Sequence, residues 1–244
     1  MKCKQPAADA AGTLEADERA QYMVAAGAHW LDPWNIAGVI GWPADREAVL
    51  AAVLREGTAL RHAPADLQAD REVVLAAVAQ NSCALEYASA ELQMDRDVVL
   101  AAIAQNGYAL QKAPKVLQAD REVVLAAVVK HGDALMYVSG ELREDREVML
   151  AAVAQDGGAL EYAPGELKAD REVVLAAVVQ QGQALQAASV GLRADREVVL
   201  AAVAQNGYAL QHAAEVLQAD REVVLTAVAR HGDALLCGGA AGGP

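Results

Sequence analysis

An aspartate followed by an arginine stands at Asp45, Asp70, Asp95, Asp120, Asp145, Asp170, Asp195 and Asp220, so most of the chain is one pattern repeated every 25 residues. A unit that short cannot close a hydrophobic core of its own. Copies of it have to bury their apolar faces against one another in a row. Other columns keep the same register: the leucine at Leu50, Leu75, Leu100, Leu125, Leu150, Leu175, Leu200 and Leu225, the second alanine of the LAAV step, and an Ala-Leu pair such as Ala134 and Leu135.

The stretch from Asp120 to Leu135, DREVVLAAVVKHGDAL, predicts a helix of about three turns. Asp120 suits the N-cap and Glu122 the positive end of the dipole, and Gly132 suits a left-handed residue just past the helix, with Ser82 the one exception in that column. Val124, Leu125 and Val128 share a face, so Leu125 is expected between layers; Gln118, in a column that varies among Gln, Arg and Lys, is expected outside. A buried strand is the competing reading of VVLAAVV, but the alanine pair, the length and the two helix-end signals argue against it.

After the glycine, segments such as Tyr208 to Ala213 are long enough for a short second helix. Pro64, Ser89, Pro114, Ser139, Pro164 or Ser189 then breaks it, and a helical turn follows whose leucine, three residues later, plugs back into the core. The expected fold is all-α: an α-solenoid of eight 25-residue repeats over residues 45–236, with about two short helices each. Stacking should bring each arginine of the Asp-Arg pair to the acids or helix-end carbonyls of an adjacent layer. Residues 95–119 and 195–219 agree at 20 of 25 positions, which suggests duplication of a four-repeat block.

The flanks depart from the register. Residues 1–44 read as a helix over 14–28, then a segment with Asp32 as N-cap and Pro33 at the first helical position. There Trp30, Trp34 and Trp42 form either a helical cap on the first repeat or a patch that docks a partner. Residues 237–244, CGGAAGGP, read as a flexible tail, and the eighth copy lacks the L-x-A-D step that closes the others. The surface around Val224, Val228, Leu235 and Leu236 is therefore expected to be covered by another protein chain.

The D-R-E-V-V-L-A-A-V core, the following N-G-x-A-L and the A-x-x-L step together resemble a repeat family catalogued only as a domain of unknown function; the likeness covers about residues 45–236. The resemblance implies helical repeats and carries no catalytic residue with it.

The formal charge of −13, without a basic cluster, disfavours nucleic acid as a partner. The longest apolar runs, Val123 to Val129 and Ile36 to Trp42, fall far short of the roughly 20 residues of a membrane-spanning helix. Cys3, Cys83 and Cys237 show no C-x-x-C spacing, and MKCKQPAADAAG has no secretory or transit character, so a reducing intracellular compartment is expected. His29, His62, His131, His212 and His231 make no metal-binding spacing; His131 and His231 are read as cations at helix C-termini. No phosphate-loop, dinucleotide or nucleophile-elbow motif occurs, so no catalytic, cofactor-binding or metal-binding residue is assigned. An enzyme needs one site, whereas the Asp-Arg-Glu triplet recurs at nearly every helix start, as caps do.

What varies is a stripe on the second helix. Tyr108 with Lys112, Asp133 with Tyr137 and Tyr208 with His212 stand four apart on one expected face, with Tyr87 and Tyr162 in the Tyr137 column. Aromatic and polar residues there suit recognition of a protein. The functional expectation is a non-enzymatic scaffold or adaptor, an accessory subunit of a larger assembly. The alternative is a receptor for a small ligand or peptide on the tyrosine-lined surface.

Overall fold

The computed structural model describes residues 46–232 and Ala234, and the chain divides into two compact units, Met1–Gln93 and Met94–Pro244. The expected Trp-bearing cap (Trp30, Trp34, Trp42), the Gly-rich tail, Leu235 and Leu236 lie outside the described residues. Among the described residues there is no strand.

Every repeat opens with a ten-residue α-helix that starts one residue after the aspartate: α1 Arg46–Arg55, α2 Arg71–Gln80, α3 Arg96–Gln105, α4 Arg121–Lys130, α5 Arg146–Gln155, α6 Arg171–Gln180, α7 Arg196–Gln205 and α8 Arg221–Arg230. The reason is local. Asp120 sits in the extended region, and its side chain accepts the N–H groups of Glu122 and Val123, two donors that the first helical turn leaves without partners. The second segment is not an α-helix but a six-residue 3-10 helix, for example Gly107–Lys112 and Gly132–Tyr137. A third helical turn follows it, α at Ala65–Gln68 and 3-10 at Leu117–Ala119. Seven repeats thus carry the long helix, the short second helix and the closing helical turn that the sequence led one to expect.

In the first unit α1 packs on α2, and the 3-10 helix Gly57–His62 packs on Ser82–Tyr87. In the second, α3 to α8 each pack on the next, and their 3-10 helices form a second row. Each unit is therefore a stretch of α-solenoid. In α4 to α7 four columns are fully buried, at Val123, Val124, Ala127 and Val128 in α4 and their counterparts.

Two expectations about inside and outside are reversed. Leu125 is only half-buried, because the buried arc of α4 is centred on Val123, Val124, Ala127 and Val128, and Leu125 falls beside it. Gln118 is 4% exposed. Its Nε2 donates to the carbonyls of Leu110 at 3.0 Å and Ala113 at 2.9 Å, closing the C-terminal end of a 3-10 helix. The same column does this elsewhere with other chemistry: Gln93 donates to Ala88 O at 3.0 Å, Arg143 to Val138 O at 2.7 Å and Lys168 to Glu161 O at 2.9 Å. What Gln, Arg and Lys share is an N–H donor on a long stem, so the column varies in name and not in function.

Gly132 is also not the left-handed cap expected; the only described glycine with positive φ is Gly140, at 34°. The residue after α4 is His131, with extended backbone at φ −144°, and Gly132 starts the next helix. Glycine is required there by approach. A Cβ on Gly132 would lie 2.5 Å from the Ala152 carbonyl oxygen in the next layer, and one on Gly107 would lie 2.6 Å from that of Ala127.

Urea unfolding of single variants checks this assignment of the core. Leu135→Ala, at a fully buried position, should cost roughly 2 to 5 kcal/mol, and Leu125→Ala about half as much. Gln118→Ala should cost about 1 to 3 kcal/mol through carbonyls left without a donor, while Gln118→Arg should recover most of the loss.

Candidate protein-docking surface

The two oxygens of each capping aspartate serve two layers. Oδ1 of Asp145 accepts the N–H groups of Glu147 at 2.8 Å and Val148 at 3.2 Å in its own helix, while Oδ2 accepts Arg121 Nε at 3.2 Å from the layer before. Arg121 also reaches Glu147, so each guanidinium bridges the cap and the acid two residues on. The pattern recurs from Arg46 to Asp70 at 2.7 Å, Arg146 to Asp170 at 2.8 Å and Arg171 to Asp195 at 3.1 Å. The looser rungs are Arg96 to Asp120 at 3.4 Å and Arg196 to Asp220 at 3.7 Å. The expected ion-pair ladder is present, and these carboxylates are occupied by caps and arginines. The guanidinium of Arg46 holds Asp70, and that of Arg146 holds Asp170, below the usual carboxylate range. At Asp120 the N–H of Val123 is the larger cause of the same shift.

The opposite ends of the helices are tied as well. The N–H of Gly132 donates to Gln155 Oε1 at 2.8 Å in the next layer, and that of Gly182 to Gln205 Oε1 at 2.7 Å. Histidine replaces glutamine twice: Gly107 donates to Nδ1 of His131 at 3.1 Å, and Gly207 to Nδ1 of His231 at 3.0 Å. This corrects their assignment as cations. A ring nitrogen that accepts a hydrogen bond carries no proton, so the geometry assigns the neutral Nε2–H tautomer to both rings.

These histidines also take up part of the tyrosine stripe. Tyr108 stacks on His131 with ring centroids 4.7 Å apart and donates its hydroxyl to Asp133 Oδ2 at 2.5 Å. That bond, helped by burial, pushes the phenol up to about 12. Tyr208 lies against His231 at the same 4.7 Å, so the duplicated block repeats the contact. A 3-10 helix turns about 120° per residue, which aligns positions three apart and not four. Tyr108 and Lys112 therefore do not share a face, and the other four-apart pairs fail for the same reason. Tyr87, Tyr137 and Tyr162 form a second, half-buried column. Of these, Tyr137 lines an open cleft of about 390 Å³ with Gln111, Lys115, Ser139, Gly140 and Arg143.

The eighth layer differs from the others. Val224 and Val228 are half-exposed, whereas their counterparts Val124, Val128, Val174 and Val178 are at 0%, and Leu225 is 57% exposed. Val224 and Val228, which the sequence places together with Leu235 and Leu236, do share one face of α8. Arg221, in the ladder column, is exposed and has no carboxylate partner among the described residues. A Cβ on Gly232 would meet nothing within 4 Å, unlike one on Gly132 or Gly207. Leu225 and Arg221 were not foreseen; the register could have found Arg221, since it gives each arginine its carboxylates 24 and 26 residues further on. Among the described residues there is no cluster of His, Cys, Asp and Glu able to hold a metal ion, and no helix long and apolar enough to cross a membrane.

The ladder sets a pH dependence. The caps titrate lower in the folded chain than at the unfolded value of about 3.9, so their stabilisation is complete above about pH 4 and is lost as pH falls through the lower, folded values. The thermal midpoint should be nearly flat from about pH 7 to 5 and drop below about 4. Asp145→Ala, which removes a cap worth about 1 kcal/mol as well as the ion pair, should lower the midpoint more than Arg121→Ala.

The layers also pair. Ser139 donates its N–H to Gln118 O at 3.1 Å, and Ser89 and Ser189 donate to Gln68 O at 2.9 Å and Lys168 O at 2.8 Å. Pro64, Pro114 and Pro164, in the alternate copies, have no N–H to offer, whereas Ala214 in the same column donates to Arg193 O at 2.8 Å. The closing leucine alternates too: Leu67, Leu117, Leu167 and Leu217 are buried, while Leu92, Leu142 and Leu192 are half-buried. The structural period is thus two copies. Comparison with protein families found the same period: the model of one family, described as Domain of unknown function (DUF4116), matches residues 45–93, 95–143, 145–193 and 195–237. No curated protein and no solved structure matches the chain. Four consecutive matches span most of its length, and the chain belongs to the DUF4116 family.

Proposed function

We propose that the protein is a non-enzymatic scaffold or adaptor that docks another protein chain on the α8 face, as an accessory subunit of a larger assembly. The observation that carries this reading is the exposure of Val224, Leu225 and Val228, in columns that other layers bury fully or in part. A contiguous apolar face with a cation beside it suits a protein partner. The carboxylates of the ladder are committed to structure, and nothing in the sequence assigns a catalytic group. The exposed thiol of Cys83 fits a reducing compartment. Affinity capture with the full chain and with Val228→Glu tests the reading. The proposal expects a defined partner set that Val228→Glu depletes by about tenfold or more, the scale of a hot-spot residue; an unchanged set would contradict it.

The cleft beside Tyr137 favours the second reading, a receptor for a small ligand or peptide. Lys115 and Arg143 would suit a carboxylate or phosphate on an otherwise acidic chain. Lys115 Nζ is held by Gln118 Oε1 at 3.0 Å. If this reading holds, millimolar acetate or phosphate should raise the thermal midpoint of the wild type and not that of Lys115→Glu. Equal shifts in both would remove it.

A further inference from the structure

Resting on the second reading above, we propose that the cleft beside Tyr137 binds a small-molecule phosphate monoester, with Ser139 as the residue that selects phosphate. The chain supplies its own controls, because the same joint recurs in other copies. At Ser89 and Ser189 the side-chain oxygen accepts the N–H of Leu92 and of Leu192, each at 3.4 Å, and the segment that follows is α-helical, Ala90–Gln93 and Val190–Arg193. Ser139 makes no such cap, and its segment, Gly140–Arg143, is a 3-10 helix. The difference begins at Gly140, the only described glycine with positive φ, where the counterparts are Ala90 and Val190. A backbone outlier in one copy of a repeat points to a local task. The N–H of Ser139 still donates to Gln118 O, so the joint is intact while the hydroxyl is left out of the cap, at the wall of the cleft.

The charges are as local as the hydroxyl. Lys115 and Arg143 both line the cleft, and none of the described residues that line it is acidic, on a chain of net charge −13. Where the joint recurs, the Lys115 column carries Ala65 or Gly165. Gln118 ties the lysine to the serine: its Oε1 accepts Lys115 Nζ at 3.0 Å, and its backbone carbonyl accepts the Ser139 N–H at 3.1 Å. Arg143 Nη2 donates to the carbonyl of Val138, next to Ser139, at 2.7 Å. These acceptors are neutral, so both positive charges remain for a ligand. Two cations and a hydroxyl suit a dianion with three terminal oxygens, which a phosphate monoester is above about pH 6; a carboxylate or a sulfate ester brings one charge. The cleft, at about 390 Å³, is of the size of small-molecule sites and larger than a phosphate group. Met136, 44% exposed, and the ring of Tyr137 are left to cover an apolar or aromatic body on the ester.

Calorimetric titration of the full chain tests this with phenyl phosphate, phenyl sulfate and benzoate, which share one ring and differ in the anion, at about pH 7.5, where the phosphate is a dianion. Phenyl phosphate should bind about tenfold or more tightly than the other two, the scale of one charge-assisted hydrogen bond. Ser139→Ala keeps the backbone N–H that joins the layers and should lower the affinity for phenyl phosphate about tenfold. Ser139→Thr should retain it, and Ser89→Ala, at the capped counterpart, should change nothing. Gly140→Ala places there the residue found at Ala90; its Cβ meets nothing within 4 Å. By returning the serine to its cap it should also weaken binding. Lys115→Ala should weaken all three ligands.

Phenyl sulfate or benzoate binding as tightly as phenyl phosphate overturns the proposal, as does a Ser139→Ala chain that binds phenyl phosphate like the wild type. The receptor reading is judged separately, by Lys115→Ala. If that variant loses anions that the wild type binds without preference, the receptor stands and the selection of phosphate falls. If no probe binds the wild type at millimolar concentration, or if Lys115→Ala binds as the wild type does, both fall.

Discussion

A carboxylate shared between two layers is the interaction on which the rest depends. The aspartate that starts each long helix gives one oxygen to its own first turn and the other to the arginine of the layer before, as Asp145 does with Glu147, Val148 and Arg121. Starting a helix and positioning it against its neighbour are therefore one event. Neither group can move to a different register without abandoning the other, which explains why Asp and Arg are identical in all eight copies while much of the exposed surface varies. Each exposed ion pair contributes little. The specificity comes from repetition at a fixed offset.

The other edge is set by approach rather than charge. Gly132 comes so close to the Ala152 carbonyl that no Cβ fits, and its N–H is taken by Gln155. Between the two edges, valine and alanine fill the contact, and small side chains allow helices to lie near one another. The 3-10 helices follow from the same closeness. They are narrower than α-helices, and a donor at the position of Gln118, Arg143 or Lys168 accepts the task of satisfying their terminal carbonyls.

Much of this was legible in the residues. The period, the helix starts at the aspartates, the ladder and the all-α class follow from the Asp-Arg spacing and the cap chemistry. What was not legible depended on geometry that periodicity does not carry. Leu125 looked like core because it never changes, yet a fixed residue need not be a buried one. Gln118 looked like surface because it changes, yet its substitutes all donate. Gly132 fitted a left-handed cap as well as a close approach, and sequence alone could not separate these. The tyrosine stripe failed because an α-helical spacing was applied to a 3-10 helix. Of the candidate docking surface, Val224 and Val228 were legible from the missing closing step, and Arg221 could have been read from the register, while Leu225 needed the burial of the neighbouring layers to stand out.

The central claim is that the arginine of one layer is energetically coupled to the cap of the next, and a double-mutant cycle measures that coupling directly. Urea unfolding of Arg121→Ala, Asp145→Asn and the double variant gives the coupling across layers. Asparagine retains an N-cap acceptor, so the comparison isolates the ion pair from the cap. The same cycle between Arg121 and Asp120 gives the coupling to the arginine's own cap. The account predicts a favourable coupling between Arg121 and Asp145 that weakens as salt is raised, and none between Arg121 and Asp120. Coupling confined to Asp120, or additivity in both cycles, would contradict it.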